Sequence, residues 1–201
     1  MTSSDKDNPA VLVLASASPR RAELLRQIGV AHRVLPVSMD ESPLPDEAPA
    51  ALVARLARSK ARAGQRAAGG QGWALGADTV VVLAGEVFGK PRDEADGLRM
   101  LHALGGRCHE VLTAVALAGP QDRLEEALSR TEVTMRTILP AEAAAYWAGG
   151  EPCDKAGAYA IQGRAALFIE RIGGSYSGVM GLPLFETGRL LQRCGLIGGL
   201  A

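Results

Sequence analysis

Residues 73–83 read WALGADTVVVL and form one of the most apolar stretches in the chain. Its apolar and β-branched residues predict a strand buried in the interior of a sheet. The next two residues, Ala84-Gly85, favour a tight turn into a short strand at residues 86–89, which predicts a β-hairpin. Asp78 interrupts the first strand, and an ionised carboxylate there is costly unless it is paired, hydrogen-bonded or bound to a metal. A structural aspartate satisfied by backbone donors and a functional aspartate are equally good interpretations of this pattern.

Strands and helices surround this hairpin without a strict repeat. The hydrophobic pattern predicts further strands at residues 11–15, 30–37, 110–117, 132–139 and 167–171. Helices are predicted at residues 19–28, 49–68, 93–104, 140–147 and 183–194. Because strands and helices do not alternate regularly, we expect an α/β or α+β fold with a mixed sheet.

The composition bounds the class of function. The 201 residues include 22 Lys+Arg and 22 Asp+Glu, and this net charge of zero argues against binding a nucleic acid polymer, which needs a surplus of cations. The cysteines are isolated and form no metal or disulfide pattern, which is typical of a cytoplasmic protein. No apolar run approaches the about 20 residues of a membrane span. The polar residues 1–10 are predicted to be a flexible leader.

Lys60 is the second residue that does not fit its surroundings. It lies within the apolar stripe of the helix predicted at residues 49–68, about 80° from Leu52 on a wheel of 100° per residue. A lysine at such a position either extends to the surface or points into a cleft that binds an anion. Both interpretations stay open from the helical pattern alone.

Lys90 follows the predicted hairpin. If Ala84-Gly85 is a two-residue loop, Leu83 pairs with Glu86 and Lys90 falls opposite Thr79, beside Asp78. The alternative is an ordinary salt bridge on the surface.

Arg20 and Arg21 open the first predicted helix, directly after a buried strand and Ser16. The start of a helix offers free backbone N–H groups and a positive dipole end, both of which suit a phosphate. Two arginines are unfavourable there unless an anion compensates them, although an exposed basic helix start is the simpler alternative. If these residues meet, Arg20, Arg21, Lys60 and Lys90 provide positive charge for a polyphosphate. Glu41, from the acidic segment 39–49, and Asp78 provide oxygen ligands for Mg²⁺ or Mn²⁺ and a base for water.

The motifs resemble those of the Maf-like nucleotide pyrophosphatases over nearly the whole chain, from about Val11 to Cys194. Five segments carry the resemblance, and they occur in the order and spacing of that family. They are LASASPRR (residues 14–21), GADTVV (76–81), GKP (89–91), DKAGAY with IQG (154–159 and 161–163) and GLPL (181–184).

The resemblance implies a single domain over residues 11–195, with an elongated, two-lobed α/β fold similar to that of the inosine triphosphate pyrophosphatases. It also implies metal-assisted cleavage of a nucleoside triphosphate into the monophosphate and pyrophosphate. By motif position, Asp78 resembles the general base and binds the metal together with Glu41. The positions that match the phosphate and metal site are Ser16, Arg20, Arg21, Glu41, Lys60 and Lys90. The positions linked to substrate choice are Arg20, Thr79 and Gln162.

Residues 154–163 resemble the branch of the family that acts on dTTP and UTP. Uracil and thymine present an N–H donor between two carbonyl acceptors, and the amide of Gln162 complements that edge. Two alternatives remain. The same reaction could act on another or modified nucleotide such as 7-methylguanosine triphosphate, or the chain could be a nucleotide-binding regulator of cell division without turnover. The sequence leaves both a monomer and a homodimer open.

Overall fold

A computed structural model describes residues 11–198, so the leader predicted at residues 1–10 lies outside the described residues. The fold is of the α/β type, and the predicted mixed sheet is confirmed. Its strands are β1 (Leu12–Leu14), β2 (His32–Val34), β3 (Ala74–Leu83), β4 (Glu86–Phe88), β5 (Cys108–Ala118), β6 (Leu124–Met135) and β7 (Ile169–Gly173). The helices in this part of the chain are α1 (Pro19–Gln27), α2 (Pro49–Ala67), α3 (Glu94–Leu104), α4 (Pro140–Ala148), α5 (Tyr176–Met180) and α6 (Leu184–Arg193).

The sheet has an opening along one edge of β3. The strand order is β2-β1-β3-β5-β6-β7, and β1 is parallel to both of its neighbours. On one edge of β3, β5 pairs continuously from Ala74 to Val82. On the other edge, β1 pairs only with Ala74 and Leu75, and β4 pairs only with residues 81–83. Residues 76–80, which include Asp78, therefore lie at a gap between β1 and β4.

The hydrophobic core consists of separate clusters, and the gap lies between two of them. One apolar cluster joins α1 and α6 to the first half of β3 and includes Leu25, Leu75 and Leu190. A second cluster joins α3 and α4 to the end of β3. A third cluster lies between α2 and the opposite face of β3 and β5.

Helix α2 packs unusually close to β3 because of one glycine. A Cβ atom added to Gly76 would lie 2.4 Å from both the carbonyl oxygen of Ala57 and the amide nitrogen of Ala61. Real Cβ atoms do not approach backbone atoms so closely, so only glycine permits this approach. The glycine therefore allows Lys60 of α2 to lie directly over β3.

Several predicted boundaries were wrong. Strand β6 begins at Leu124 rather than at residue 132, because it pairs with β5 from Leu124 to Thr134, and it ends at Met135. Its first half is only partly buried, so it lacks the apolar run that marks an interior strand. The predicted strand at residues 30–37 shortens to β2, and the glycine-rich segment 149–163 contains two short 3₁₀ turns. Helix α5 was not predicted. In the described part of the chain, no helix is long and apolar enough to cross a membrane.

His109 provides a stability prediction. It is 2% exposed, and its Nε2 lies 2.9 Å from the hydroxyl of Tyr159. Burial lowers the pKa of His109 from 6.5 to about 4. Because the unfolded chain then binds a proton that the folded chain does not, the stability present above pH 6.5 is lost as the pH falls towards 4. We expect His109 to account for a loss of roughly 3 kcal/mol across this range.

Urea unfolding of the wild type and of His109→Gln at a series of pH values measures this effect. The variant should lose less stability than the wild type on acidification. His102→Gln, at an exposed position of α3, is the matched control and should follow the wild type. If all three proteins have the same pH dependence, the acid sensitivity belongs to other groups.

Candidate active site

A cavity of about 700 Å³ lies at the gap in the sheet. The structure brings all of the predicted site residues to the lining of this one cavity, although they come from six separate segments of the chain. These residues are Ser16, Arg20, Arg21, Glu41, Lys60, Asp78, Thr79, Lys90 and Gln162.

Lys60 and Asp78 form a buried ion pair at the centre of the lining. Each residue is 7% exposed, and the Nζ atom of Lys60 lies 2.6 Å from Oδ1 of Asp78. The same Nζ atom lies 2.6 Å from Oε1 of Glu41, whose side chain is half exposed. Lys60 therefore points into the cleft rather than to the surface. Asp78 is held by a side-chain cation, which favours the functional interpretation of this residue.

The two carboxylates differ in their electrostatic surroundings. Burial raises the pKa of Asp78, and the charges of Lys60 and Arg21 only partly oppose this effect. Burial also acts to raise the pKa of Glu41. There, however, the hydrogen bond and charge of Lys60, with smaller effects of Lys90 and Arg21, make the net shift downward. The pKa of Asp78 is therefore raised above its ordinary value, whereas that of Glu41 is lowered. A raised pKa suits a carboxylate that accepts a proton.

Arg21 is fixed by three oxygen atoms on two sides of the gap. Its Nε donates to the carbonyl of Gly181 at 2.8 Å, its Nη1 to Oγ of Ser16 at 3.1 Å and its Nη2 to Oγ1 of Thr79 at 3.4 Å. Burial lowers the pKa of Arg21, with Asp78 opposing the shift. An arginine pKa starts high enough for the guanidinium to stay charged at neutral pH. A rigid cation thus faces the cavity.

Ser16 is oriented to donate a hydrogen bond. Its Oγ accepts from the backbone amide of Ser18 at 3.2 Å as well as from Arg21. A hydroxyl has two lone pairs and one proton, so two accepted bonds leave the proton for a further acceptor. A phosphate oxygen in the cavity is a suitable acceptor.

Thr79 is oriented by a residue that the sequence interpretation missed. Thr113, opposite it on β5, is buried, and its Oγ1 lies 2.8 Å from the carbonyl of Gly178 and 3.0 Å from Oγ1 of Thr79. Because a carbonyl only accepts, Thr113 donates to Gly178, and Thr79 donates to Thr113. Pairing of β3 with β5 sets this contact, and no local pattern marks it.

Other cavity residues complete the positive surface. Arg20 is half-buried and Lys90 is exposed at the rim. Lys155 also lines the cavity and forms an ion pair with Asp154, although no site role was predicted for either residue. Both residues lie in the glycine-rich segment 149–163, shortly before Gln162, and this position could have indicated that they line the same cavity.

The residues present suit a divalent cation only in part. Glu41 and Asp78 supply hard carboxylate oxygens, which Mg²⁺ and Mn²⁺ prefer. Within residues 11–198, no group of three or more histidine, cysteine, aspartate or glutamate residues is arranged to hold a metal. An ion bound by two carboxylates needs further oxygen ligands, and a bound polyphosphate together with water would provide them.

The cavity places several cations beside a buried carboxylate, as in the class of proteins whose sites suit a phosphate-bearing anion. Comparison with known proteins gives the family. The chain belongs to the Maf-like protein family, whose model matches residues 11–194.

Close relatives carry a common name. A dTTP/UTP pyrophosphatase of Nitrosospira multiformis is 53% identical over 194 residues, covering 90% of this chain and 93% of the relative. A dTTP/UTP pyrophosphatase of Bordetella avium is 54% identical over 193 residues, covering 92% of this chain and 96% of the relative.

Two solved structures show a more distant similarity. A nucleoside-triphosphatase / dITP/XTP pyrophosphatase from Mycobacterium abscessus has 18% identity and a TM-score of 0.41, covering 63% of this chain and 74% of its own. The Staphylococcus aureus Ham1 protein has 17% identity and a TM-score of 0.44, covering 62% of this chain and 71% of its own.

Proposed function

We propose that this chain hydrolyses nucleoside triphosphates to the monophosphate and pyrophosphate, with dTTP and UTP as the favoured substrates. The observation that carries the proposal is the buried Lys60–Asp78 pair at the open edge of β3, within a cavity lined by further cations. The family and the names of the relatives support the same reaction.

The cations have a clear role in this reaction. A triphosphate carries several negative charges, and more charge develops on the leaving pyrophosphate as the bond between the α and β phosphates breaks. Arg20, Arg21, Lys60 and Lys90 would stabilise this charge, and the Ser16 hydroxyl would donate to a phosphate oxygen. The three hydrogen bonds of Arg21 hold its guanidinium in place before the substrate binds.

Asp78 is the proposed general base. It would take a proton from a water molecule as the water oxygen attacks the α phosphorus, while the bridging oxygen departs with pyrophosphate. Burial raises the pKa of Asp78, which strengthens it as a proton acceptor. Asp78 and Glu41 would also hold Mg²⁺ or Mn²⁺, and a bound divalent ion supplies positive charge that stabilises the phosphate oxygens.

Gln162 is proposed to select the base. Its side chain lines the cavity, and its amide offers both a donor and an acceptor. The imide edge of uracil or thymine needs this combination. Thr79 and Arg20, which also line the cavity, are the further candidates for substrate choice. We also propose a cytoplasmic location, because Cys108, Cys153 and Cys194 are free thiols.

A panel of nucleoside triphosphates, canonical and modified, tests the proposal through pyrophosphate release with Mg²⁺, with Mn²⁺ and with a chelator. We expect metal-dependent release that is strongest with dTTP and UTP. We expect Gln162→Ala to lower their kcat/KM by about tenfold or more relative to the other nucleotides, because the lost amide contacts select the base. Gln192→Ala, at an exposed position of α6, is the control and should leave the preference unchanged.

Other outcomes of this panel have distinct meanings. Release from guanine nucleotides alone, such as 7-methylguanosine triphosphate, would keep the reaction and overturn the role of Gln162. Tight nucleotide binding without pyrophosphate release from any nucleotide would indicate a nucleotide-binding regulator instead of an enzyme.

A further inference from the structure

Gln162 lies on a short turn whose backbone is hydrogen-bonded by two side chains from outside the cavity lining. Tyr146 is 2% exposed on α4, and its hydroxyl accepts a hydrogen bond from the backbone amide of Ala160 at 3.1 Å. The same hydroxyl lies 2.7 Å from Oε1 of Glu151, to which it donates. A further bond from the Gly163 amide to the Ala160 carbonyl, at 3.0 Å, closes the turn that contains Gln162.

Glu151 holds the other end of this turn. Its carboxylate accepts from the backbone amide of Arg164 at 3.0 Å and from that of Ala165 at 3.4 Å. A Cβ atom on Gly163 would lie 2.4 Å from the carboxylate of Glu151, so the backbone of the turn rests directly on it. Glu151 and Tyr146 together therefore bond to both flanks of Gln162, and we refer to these two residues as the clamp.

The protonation states agree with this arrangement. Burial and the adjacent Glu151 raise the pKa of Tyr146, so its hydroxyl keeps the proton that it donates. Burial acts to raise the pKa of Glu151, but Tyr146 and the two backbone amides lower it overall. Glu151 therefore stays ionised and accepts all of these bonds at neutral pH.

The clamp does not touch the cavity. Among the described residues, those that line the cavity include Ala160 and Gln162 but neither Tyr146 nor Glu151. Ile161, between them, is buried in the apolar cluster around α3 and α4. Both flanks of the turn are thus fixed, while Gln162 itself lies at the cavity.

We propose that Tyr146 and Glu151 are positioning residues for base recognition, which hold Gln162 where its amide meets the edge of the nucleobase. This inference rests on the proposed role of Gln162. A small displacement of a recognition group removes much of its selectivity, because its hydrogen bonds require a defined geometry. Removing the clamp should weaken discrimination between nucleobases without changing the groups that contact phosphate.

The test measures binding rather than turnover. Calorimetry with the non-hydrolysable α,β-imido analogues of dTTP and dCTP gives a ratio of dissociation constants for two pyrimidines that differ at the recognised edge. We expect Tyr146→Phe and Glu151→Gln each to reduce this preference for the thymine analogue by about tenfold. Tyr176→Phe, at an exposed position of α5, is the matched control and should keep the wild-type ratio.

The Tyr146→Phe substitution in the Gln162→Ala variant distinguishes a positioning role of Tyr146 from a general structural role. In Gln162→Ala, the addition of Tyr146→Phe should cause no further loss of preference, because the group that it positions is gone. An unchanged ratio in both clamp variants would overturn the proposal. So would equal binding of the two analogues by the wild type, or a loss that persists undiminished in the Gln162→Ala background. Selective binding that depends on the clamp, without pyrophosphate release from dTTP, would support the clamp while refuting the proposed reaction.

Discussion

Asp78→Asn is expected to lower kcat by about 10²- to 10⁴-fold, which is the usual contribution of a general base. Asparagine has nearly the same shape and still offers an oxygen to Lys60, so we expect the fold to be retained. It cannot take a proton from water, and it is a weaker ligand for a divalent cation. The measurement is steady-state pyrophosphate release from dTTP, together with thermal unfolding and binding of a non-hydrolysable analogue.

Asp122→Asn is the matched control for this substitution. Asp122 is exposed in the turn between β5 and β6 and has a φ of 61°, a conformation that asparagine also adopts. This variant should release pyrophosphate at the wild-type rate. Near-normal turnover by Asp78→Asn would remove Asp78 from the role of general base.

Gly76→Ala is expected to destabilise the protein by about 3 kcal/mol, as is typical when a packed interior must accept an additional atom. The new Cβ would lie 2.4 Å from two backbone atoms of α2, and backbone atoms move less readily than the end of a flexible side chain. It would also lie 2.9 Å from Cβ of Lys60. Because α2 must shift away from β3, we also expect lower activity through displacement of Lys60 from Asp78. Urea unfolding measures the first effect and pyrophosphate release the second.

Gly188→Ala provides the control for the same chemical change. Gly188 lies within α6, and an added Cβ there would have nothing within 4 Å. Alanine is favoured over glycine inside a helix by about 0.5–1 kcal/mol, so this variant should be slightly more stable than the wild type. If Gly76→Ala is as stable and as active as the wild type, the close approach of α2 is not what positions Lys60.

The sequence predicted those site residues that interrupt a regular hydrophobic pattern. Lys60 interrupts an apolar helical stripe, Asp78 interrupts an apolar strand, and these two residues form the buried ion pair. The hairpin register was also predicted correctly, since Leu83 pairs with Glu86. Regular pairing ends at Phe88, yet the next turn still brings Lys90 to the rim of the cavity. In each case, the signal lies within a few residues of the feature it predicts.

Features that depend on contacts between distant segments could not be predicted in this way. Thr113 orients Thr79 only because β5 pairs with β3 from Ala74 to Val82, and threonine is common in strands. Tyr146 and Glu151 support the turn of Gln162 through bonds to backbone amides, which place few demands on the residue type they bind. The early start of β6 also depends on a contact between distant segments, since pairing with β5 compensates for the weak apolar pattern of β6.

The position of bond cleavage can be read from the products formed from dTTP in water labelled with heavy oxygen, in the presence of Mg²⁺ or Mn²⁺. We predict dTMP that carries the label and pyrophosphate that does not, because water attacks the α phosphorus within the cavity. Three results would refute hydrolysis at the α phosphorus: thymidine diphosphate with inorganic phosphate, label in the pyrophosphate, or bound dTTP that yields no product.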